Sequence, residues 1–314
     1  MIRYVSTRLV QLVIISFFIS VTAFLVVHLL PGDPTVAILG PNDTPSARAE
    51  LLRQLGLTKP LYAQYWTWLL NVFHGNLGES FTTKQKVTNA LSVALPIDLE
   101  LIVVSQIIAL VVAIPLALVA ALRPNRVFDR VATTATFGML SLPTFVAGPL
   151  LVLLFAVTFH LVPAIGFTRL SQGLGPNLQS VILPSVALAI GSIAVYYRLL
   201  RADLIATLQE DFVTMARAKG LSTRYILLRH ALRPSSFSLL AGAGITIGSL
   251  FTGAFVVELL FQMPGIGYQL IQAIYSDDYL VVQGMALVAA VAFVVINFGV
   301  DFLLTILDPR VRRA

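Results

Sequence analysis

The chain has 314 residues, 57% of them hydrophobic and only 11% charged, where soluble domains carry roughly 25% charged residues. With a mean hydropathy of +0.88 it lacks the polar side chains that cover a water-soluble globule of this length. That excludes a soluble enzyme or a nucleic-acid-binding domain, despite a net charge of +6 and a pI near 9.8. The composition predicts an all-α polytopic membrane protein. The chain has no cysteine, so disulfides, thiolate metal sites and cysteine nucleophiles are excluded too.

About 20 helical residues cover the roughly 30 Å hydrocarbon core of a bilayer. The first apolar stretch of that length is Leu9–Leu30. Arg3 and Arg8 precede it, as in a signal peptide, but its run of 22 residues is too long for one and no small-residue cleavage site follows. It reads as an uncleaved anchor, residues 1–30. The loop 31–98 is placed outside the membrane. Within it, Pro60–Phe73 (PLYAQYWTWLLNVF) holds both tryptophans, Trp66 and Trp68, with Tyr62 and Tyr65. Thr58 is placed to cap this segment, with Pro60 in its first turn. An interfacial helix is predicted, serving as an aromatic anchor or as a platform for an extracytoplasmic partner.

Residues 99–307 carry the other five predicted crossings: Leu99–Leu122, Phe137–Phe159, Val181–Tyr197, Phe237–Leu260 and Val281–Val300. The fourth is short and is expected to continue as helix through Arg198. Pro115, Pro143, Pro149 and Pro184 interrupt these helices, so neighbours must supply backbone partners. The fifth carries Gly242, Gly244, Gly248 and Gly253 with Thr246, Ser249 and Thr252. This small, mildly polar face suits close helix packing or the wall of a pore.

Charge sets the orientation. Arg3 and Arg8, then Arg123, Arg126 and Arg130, then seven Lys/Arg from Arg198 to Arg233, then Arg310, Arg312 and Arg313 in the tail 308–314 all fall on one side. The opposite side has only Arg169 in the loop after the third crossing and no basic residue in the loop after the fifth. The positive-inside rule places both termini in the cytoplasm, in agreement with six crossings.

No phosphate-binding GxxxxGK[ST] and no HExxH is present, and His28, His74, His160 and His230 are scattered. Asp98, Glu100, Glu258 and Asp301 sit near span ends rather than at a midplane. An ion-coupled carrier needs a midplane group or an internal repeat, and a membrane enzyme needs a catalytic cluster. The energy source is therefore expected on another polypeptide, with no catalytic, cofactor-binding or metal-binding residue on this chain. Glu258 and Gln262, with Ser249 and Thr252, are the candidates for a translocation path or gate.

The region 207–234 is informative. Asp211 is placed to cap a short helix through Lys219, Gly220 suits a residue with positive φ, and Ser222 caps a second helix expected to end before Pro234. Phe212, Met215, Ala216 and Lys219 share one face of the first helix. Leu221, Tyr225, Leu228 and Leu232 share one face of the second. This elbow docks on another protein or lies on the membrane surface; the residues alone fit both.

Ala216–Ser222 (AKGLS after Ala216–Arg217) and Arg229–Arg233 (RHALR) resemble the peptide-type form of the EAA motif of type I ABC importer permeases. The motif's Glu position is Thr214, its first Ala is Met215, and its Pro is displaced to Pro234. Leu29–Pro34 (LLPGDP), Leu55–Phe81, Glu258, Pro264–Gly267 (PGIG), Asp278–Gly284 (DYLVVQG) and Leu307–Arg312 (LDPRVR) follow the same family in order. The chain is thus similar to the membrane-spanning subunit of a type I ABC importer, in the branch that handles dipeptides, oligopeptides and nickel.

The resemblance implies a six-helix permease fold with an elbow that serves as coupling helix. Asp211, Thr214, Met215, Ala216, Arg217, Ala218, Lys219, Gly220 and Leu221 would dock an ATPase. It also implies partners: a second homologous permease subunit, two cytoplasmic ABC ATPases that bind the ATP and Mg, and an external solute-binding protein, all at a bacterial cell membrane. Di- or oligopeptide is the expected solute, with nickel, haem or another small solute as the alternative within the same machinery.

Overall fold

The computed structural model describes residues 2–29, 39, 44–54 and 58–307. The Leu30–Pro34 stretch and the tail 308–314 lie outside them. The elements are helical: α1 (Ile2–Leu29), α2 (Pro45–Gln54), α3 (Leu61–Phe73), α4 (Val87–Leu122), α5 (Val127–Ser141), α6 (Thr144–Thr158), α7 (Leu174–Thr207), α8 (Asp211–Ala218), α9 (Thr223–Phe261), α10 (Ile266–Tyr275) and α11 (Tyr279–Leu307). Among the described residues no strand occurs, and the one isolated bridge pairs Glu79 with Lys86.

Among the described residues four helices, α4, α7, α9 and α11, are long and apolar enough to cross a bilayer; α5 with α6 makes a fifth if the pair is one bent crossing. In α1 the described apolar stretch is the shorter Val10–Leu25. The crossing expected over Phe137–Phe159 is not one continuous helix. The chain turns by 106° between α5 and α6. Leu142, ahead of Pro143, is extended (φ −93°, ψ 108°), because the proline ring disfavours helical backbone in the residue before it. Pro143 is then the N-cap of α6, a position whose missing N–H costs no intrahelical bond. By contrast Pro184 sits inside α7 without ending it. The second and fourth crossings are longer than expected, beginning at Val87 and Leu174.

The chain forms two compact units. The first contains residues up to Asp98 together with Pro264–Phe298. Here α3 packs on α1 through aromatic rings: Tyr65 meets Phe17 and Phe24 edge-on, Trp68 meets Phe24, and the Ser20 and Tyr65 hydroxyls lie 2.8 Å apart. Tyr62 and Trp66 remain exposed. Thr58 does not cap this helix; Pro60 occupies the N-cap position, with no side-chain bond to the first turn. Asp98 is buried and accepts the Ile266 N–H at 3.1 Å, so it caps α10 from a distant part of the chain. Asp278 is buried and accepts the Ser80 hydroxyl, which in turn accepts the Thr83 N–H at 2.9 Å.

Gly284 marks the tightest contact in this unit. A Cβ there would stand 2.7 Å from Val87 Cγ1 and 3.4 Å from the Leu77 carbonyl oxygen. Val87 is fully buried and β-branched, so it cannot swing aside. Gly284→Ala should therefore destabilise by about 1–3 kcal/mol through overpacking. Thermal unfolding in detergent reads the loss, and Val87→Ala added to it should recover most of the difference. An unchanged midpoint for the single variant would refute the close approach.

The second unit comprises Leu99–Met263 with the segment from Gly299. Ala109, Ala113, Ala117 and Ala121 are buried at every fourth position of α4, forming one smooth ridge. Small side chains let helix backbones approach closely. The same apolar core holds Ala189, Ile193, Tyr196, Tyr197, Leu200 and Leu204 of α7. α9 packs mainly on α7. A Cβ on Gly242 would fall 2.3 Å from Leu199 Cδ1, and Gly244 and Gly248 are buried. The glycine-rich face is thus used in packing.

Candidate functional site

The elbow is built from α8, Gly220 and the start of α9. Glu210, not Asp211, occupies the N-cap position of α8; Asp211 is its first helical residue, and neither side chain caps the helix. At the other end Gly220 has φ +81°, and a Cβ there would meet nothing within 4 Å. Glycine is needed for backbone conformation, not for room. Its N–H bonds the Arg217 carbonyl at 2.9 Å and the Leu221 N–H bonds the Ala216 carbonyl at 3.3 Å. This double closure is a Schellman motif, which fixes the direction in which the chain leaves the helix. The Ser222 hydroxyl then accepts the Tyr225 N–H at 3.4 Å, capping the next helix.

That second helix does not end before Pro234. It runs on through Pro234 to Phe261, with one widened π turn at Ile226–Ala231. The widened turn lies directly N-terminal to Pro234, where the ring would otherwise crowd the His230 carbonyl. The second arm of the elbow and the crossing are one continuous helix.

The expected face on α8 is also corrected. Val213 and Ala216 point inward and pack with Ile226 and Leu208. Phe212 is 42% exposed and Met215 61% exposed. Asp211, Thr214, Arg217, Ala218, Lys219 and Gly220 are exposed with them. Ala216 thus belongs to the support, not to the outer surface. Leu221, Tyr225 and Leu228 are exposed as well, so the elbow presents a run of large apolar side chains. Exposed apolar runs of this kind occur where proteins meet other proteins, membranes or ligands.

Arg201, read from the sequence as one more positive charge, is in fact paired. Asp129, 2% exposed, accepts a bidentate pair of hydrogen bonds from its guanidinium, the Nη2–Oδ2 arm at 2.6 Å. Asp129 also accepts the Asn125 N–H at 2.7 Å and the Tyr197 hydroxyl at 3.3 Å. Tyr197 lies 3.1 Å from the Thr133 hydroxyl. The start of α5 is thereby clamped to α7. A lone acid between Arg126 and Arg130 was the available signal in the sequence.

Of the path candidates, Ser249 lines a groove of about 630 Å³ with Thr144, Ser192, Thr246, Gly191 and Gly253. Its walls are the α5–α6 corner, α7 and α9. Thr252, Glu258 and Gln262 do not line it. Glu258 is fully buried, and Gln262 is the left-handed residue that ends α9, with φ 53°. Among the described residues no three His, Asp or Glu side chains gather where they could hold a metal.

A helical membrane protein with a rigid, apolar-faced elbow and a mildly polar groove beside a broken helix has known relatives. Residues 113–313 match the family described as binding-protein-dependent transport system inner membrane component, and residues 1–102 match its N-terminal region. The chain belongs to that family. This inner membrane component is 34% identical over 312 residues to the glutathione transport system permease protein GsiC of Escherichia coli strain K12, covering 99% of each chain. It is 35% identical over 333 residues to the di/tripeptide transport system permease protein DppB of Pseudomonas aeruginosa, again covering 99% of each. In fold it is similar to a chain of the MetNI methionine ABC transporter in an inward-facing conformation. The TM-score is 0.57 at 17% identity, covering 70% of this chain and 96% of that one. The inner membrane component is a transport subunit, not a catalytic one.

Proposed function

We propose that this chain is a six-crossing permease with both termini in the cytoplasm, forming half of the pathway through a peptide ABC importer. A second homologous permease supplies the other half. Two cytoplasmic ATPases bind ATP and Mg, and an external solute-binding protein delivers di- or oligopeptides; no cofactor is held here. The peptide class is supported by the names of the relatives, which run the full length of the chain. α1 completes the count of six if the α5–α6 pair is one crossing.

The observation that carries this reading is the outward apolar run from Phe212 to Leu228 on an elbow whose bend is set by the closures at Gly220 and the Ser222 cap. An apolar surface that its own chain leaves uncovered is what a separate ATPase would bury. ATP binding would move the elbow, provided the two ATPase states grip it differently. α9 carries that movement to the groove at Thr246 and Ser249, where the pathway changes the side to which it opens.

Charge placed on the outer face tests this. Met215→Asp and Phe212→Asp should each lower the amount of ATPase that co-purifies by about tenfold or more, while the variants insert and unfold like the wild type. Recovery of ATPase at the wild-type level by both would defeat the docking role. Ala216→Arg is the poorer probe, because Ala216 is packed against Ile226.

A further inference from the structure

A second groove, of about 950 Å³, lies in the same unit between the α4–α5 turn and the start of α9. Arg123, Arg126, Arg130 and Arg224 all line it. Among the described residues no carboxylate forms an ion pair with any of these four. The nearby acid, Asp129, is turned inward and held by Arg201. Four arginines therefore line one cleft with no carboxylate paired to any of them among the described residues.

The rim of the cleft is apolar. Val119, Val127 and Phe128 line it and are exposed. Val119 is also the last step of a ladder on α4: Val103, Ile107, Val111, Pro115 and Val119 are exposed at every fourth residue, on one face of the helix. From Val103 to Val119 the ladder spans about 24 Å, more than the roughly 15 Å of hydrocarbon in one leaflet. A basic cleft at the foot of an apolar track longer than one leaflet has the chemistry of a headgroup and its acyl chain together.

We propose that this groove is a binding site for an anionic phospholipid, its phosphate among Arg123, Arg126, Arg130 and Arg224 and an acyl chain along the Val103–Val119 ladder. The placement rests on the orientation proposed above, which sets the cleft at the cytoplasmic leaflet. Free phosphate shares the headgroup chemistry but has no use for the ladder. Because Thr223 and Arg224 open the helix after Gly220, a seated lipid also touches the elbow.

Native mass spectrometry of the full chain in detergent, titrated with phosphatidylglycerol or phosphatidylcholine, tests the site. The wild type should retain phosphatidylglycerol in preference to phosphatidylcholine. R126Q/R130Q should weaken phosphatidylglycerol about thirtyfold, from roughly 1 kcal/mol per basic group, while phosphatidylcholine is unaffected. R126K/R130K should bind within about threefold of the wild type, since the attraction is largely one of charge. R229Q/R233Q removes as much charge away from the groove and should bind as the wild type does. Equal losses in both Gln pairs, or none in R126Q/R130Q, overturn the site. So does displacement of the lipid by inorganic phosphate at equal concentration. In the assembled transporter, a cross-link from Arg126→Cys to a partner subunit with no retained lipid overturns it as well. The titration needs no partner subunit, so its failure leaves the ATPase-docking result standing, and the reverse holds.

Discussion

Gly220→Pro should reduce uptake to background in cells or proteoliposomes while the protein still inserts. The native φ of +81° lies outside the proline range near −65°. The substitution also removes the N–H that closes on Arg217. The bend at Gly220 would be lost, and with it the placement of α8 against the start of α9. A graded series separates this from a general defect. Asn tolerates left-handed backbone, so Gly220→Asn should retain most uptake, and Gly220→Ala, costing about 1 kcal/mol, should fall between. Uptake by the proline variant at the wild-type rate would show that elbow shape has no part in transport.

Asp129→Ala should be among the most destabilising changes in the chain. It leaves the Arg201 guanidinium, 22% exposed, without its bidentate partner and frees the N–H of Asn125. Breaking a buried pair by removing one member costs about 3–5 kcal/mol, and the partial exposure of Arg201 argues for the lower end, about 3 kcal/mol. Replacing both members with apolar groups is a different experiment, because no charge is stranded. Asp129→Leu with Arg201→Met should recover most of the loss in a thermal-unfolding assay. A double variant as unstable as Asp129→Ala would mean that the clamp acts through its hydrogen bonds to Asn125 and Tyr197.

Hydropathy and turn chemistry made much of this molecule readable in advance. Long apolar runs mark α4, α7, α9 and α11, because a helix that faces lipid needs little else to be recognised. Gly220 and Ser222 were legible for the same local reason: a positive φ and a helix cap are demands made within four residues. What was not legible depends on partners far along the chain. Asp98 reads as a span-opening acid, yet it caps α10 by bonding Ile266. Arg201 reads as an orienting charge, yet Asp129 neutralises it. Spacing alone groups Met215 with Ala216 on one face of α8, while only Ile226 and Leu208 decide which of them turns inward. The corner at Leu142–Pro143 reads as an interruption from its proline, but no local pattern records its angle of 106°.

The continuity of α9 has a mechanical consequence. From Thr223 to Ser249 the rod is about 39 Å long. Tilting its base by about 5° would sweep Ser249 through roughly 3 Å, close to the width of a water molecule. A crank of that reach converts a small stroke at the elbow into opening or sealing at the groove wall. The widened turn at Ile226–Ala231 lies near its base, so stiffness there bears on how much of the stroke arrives.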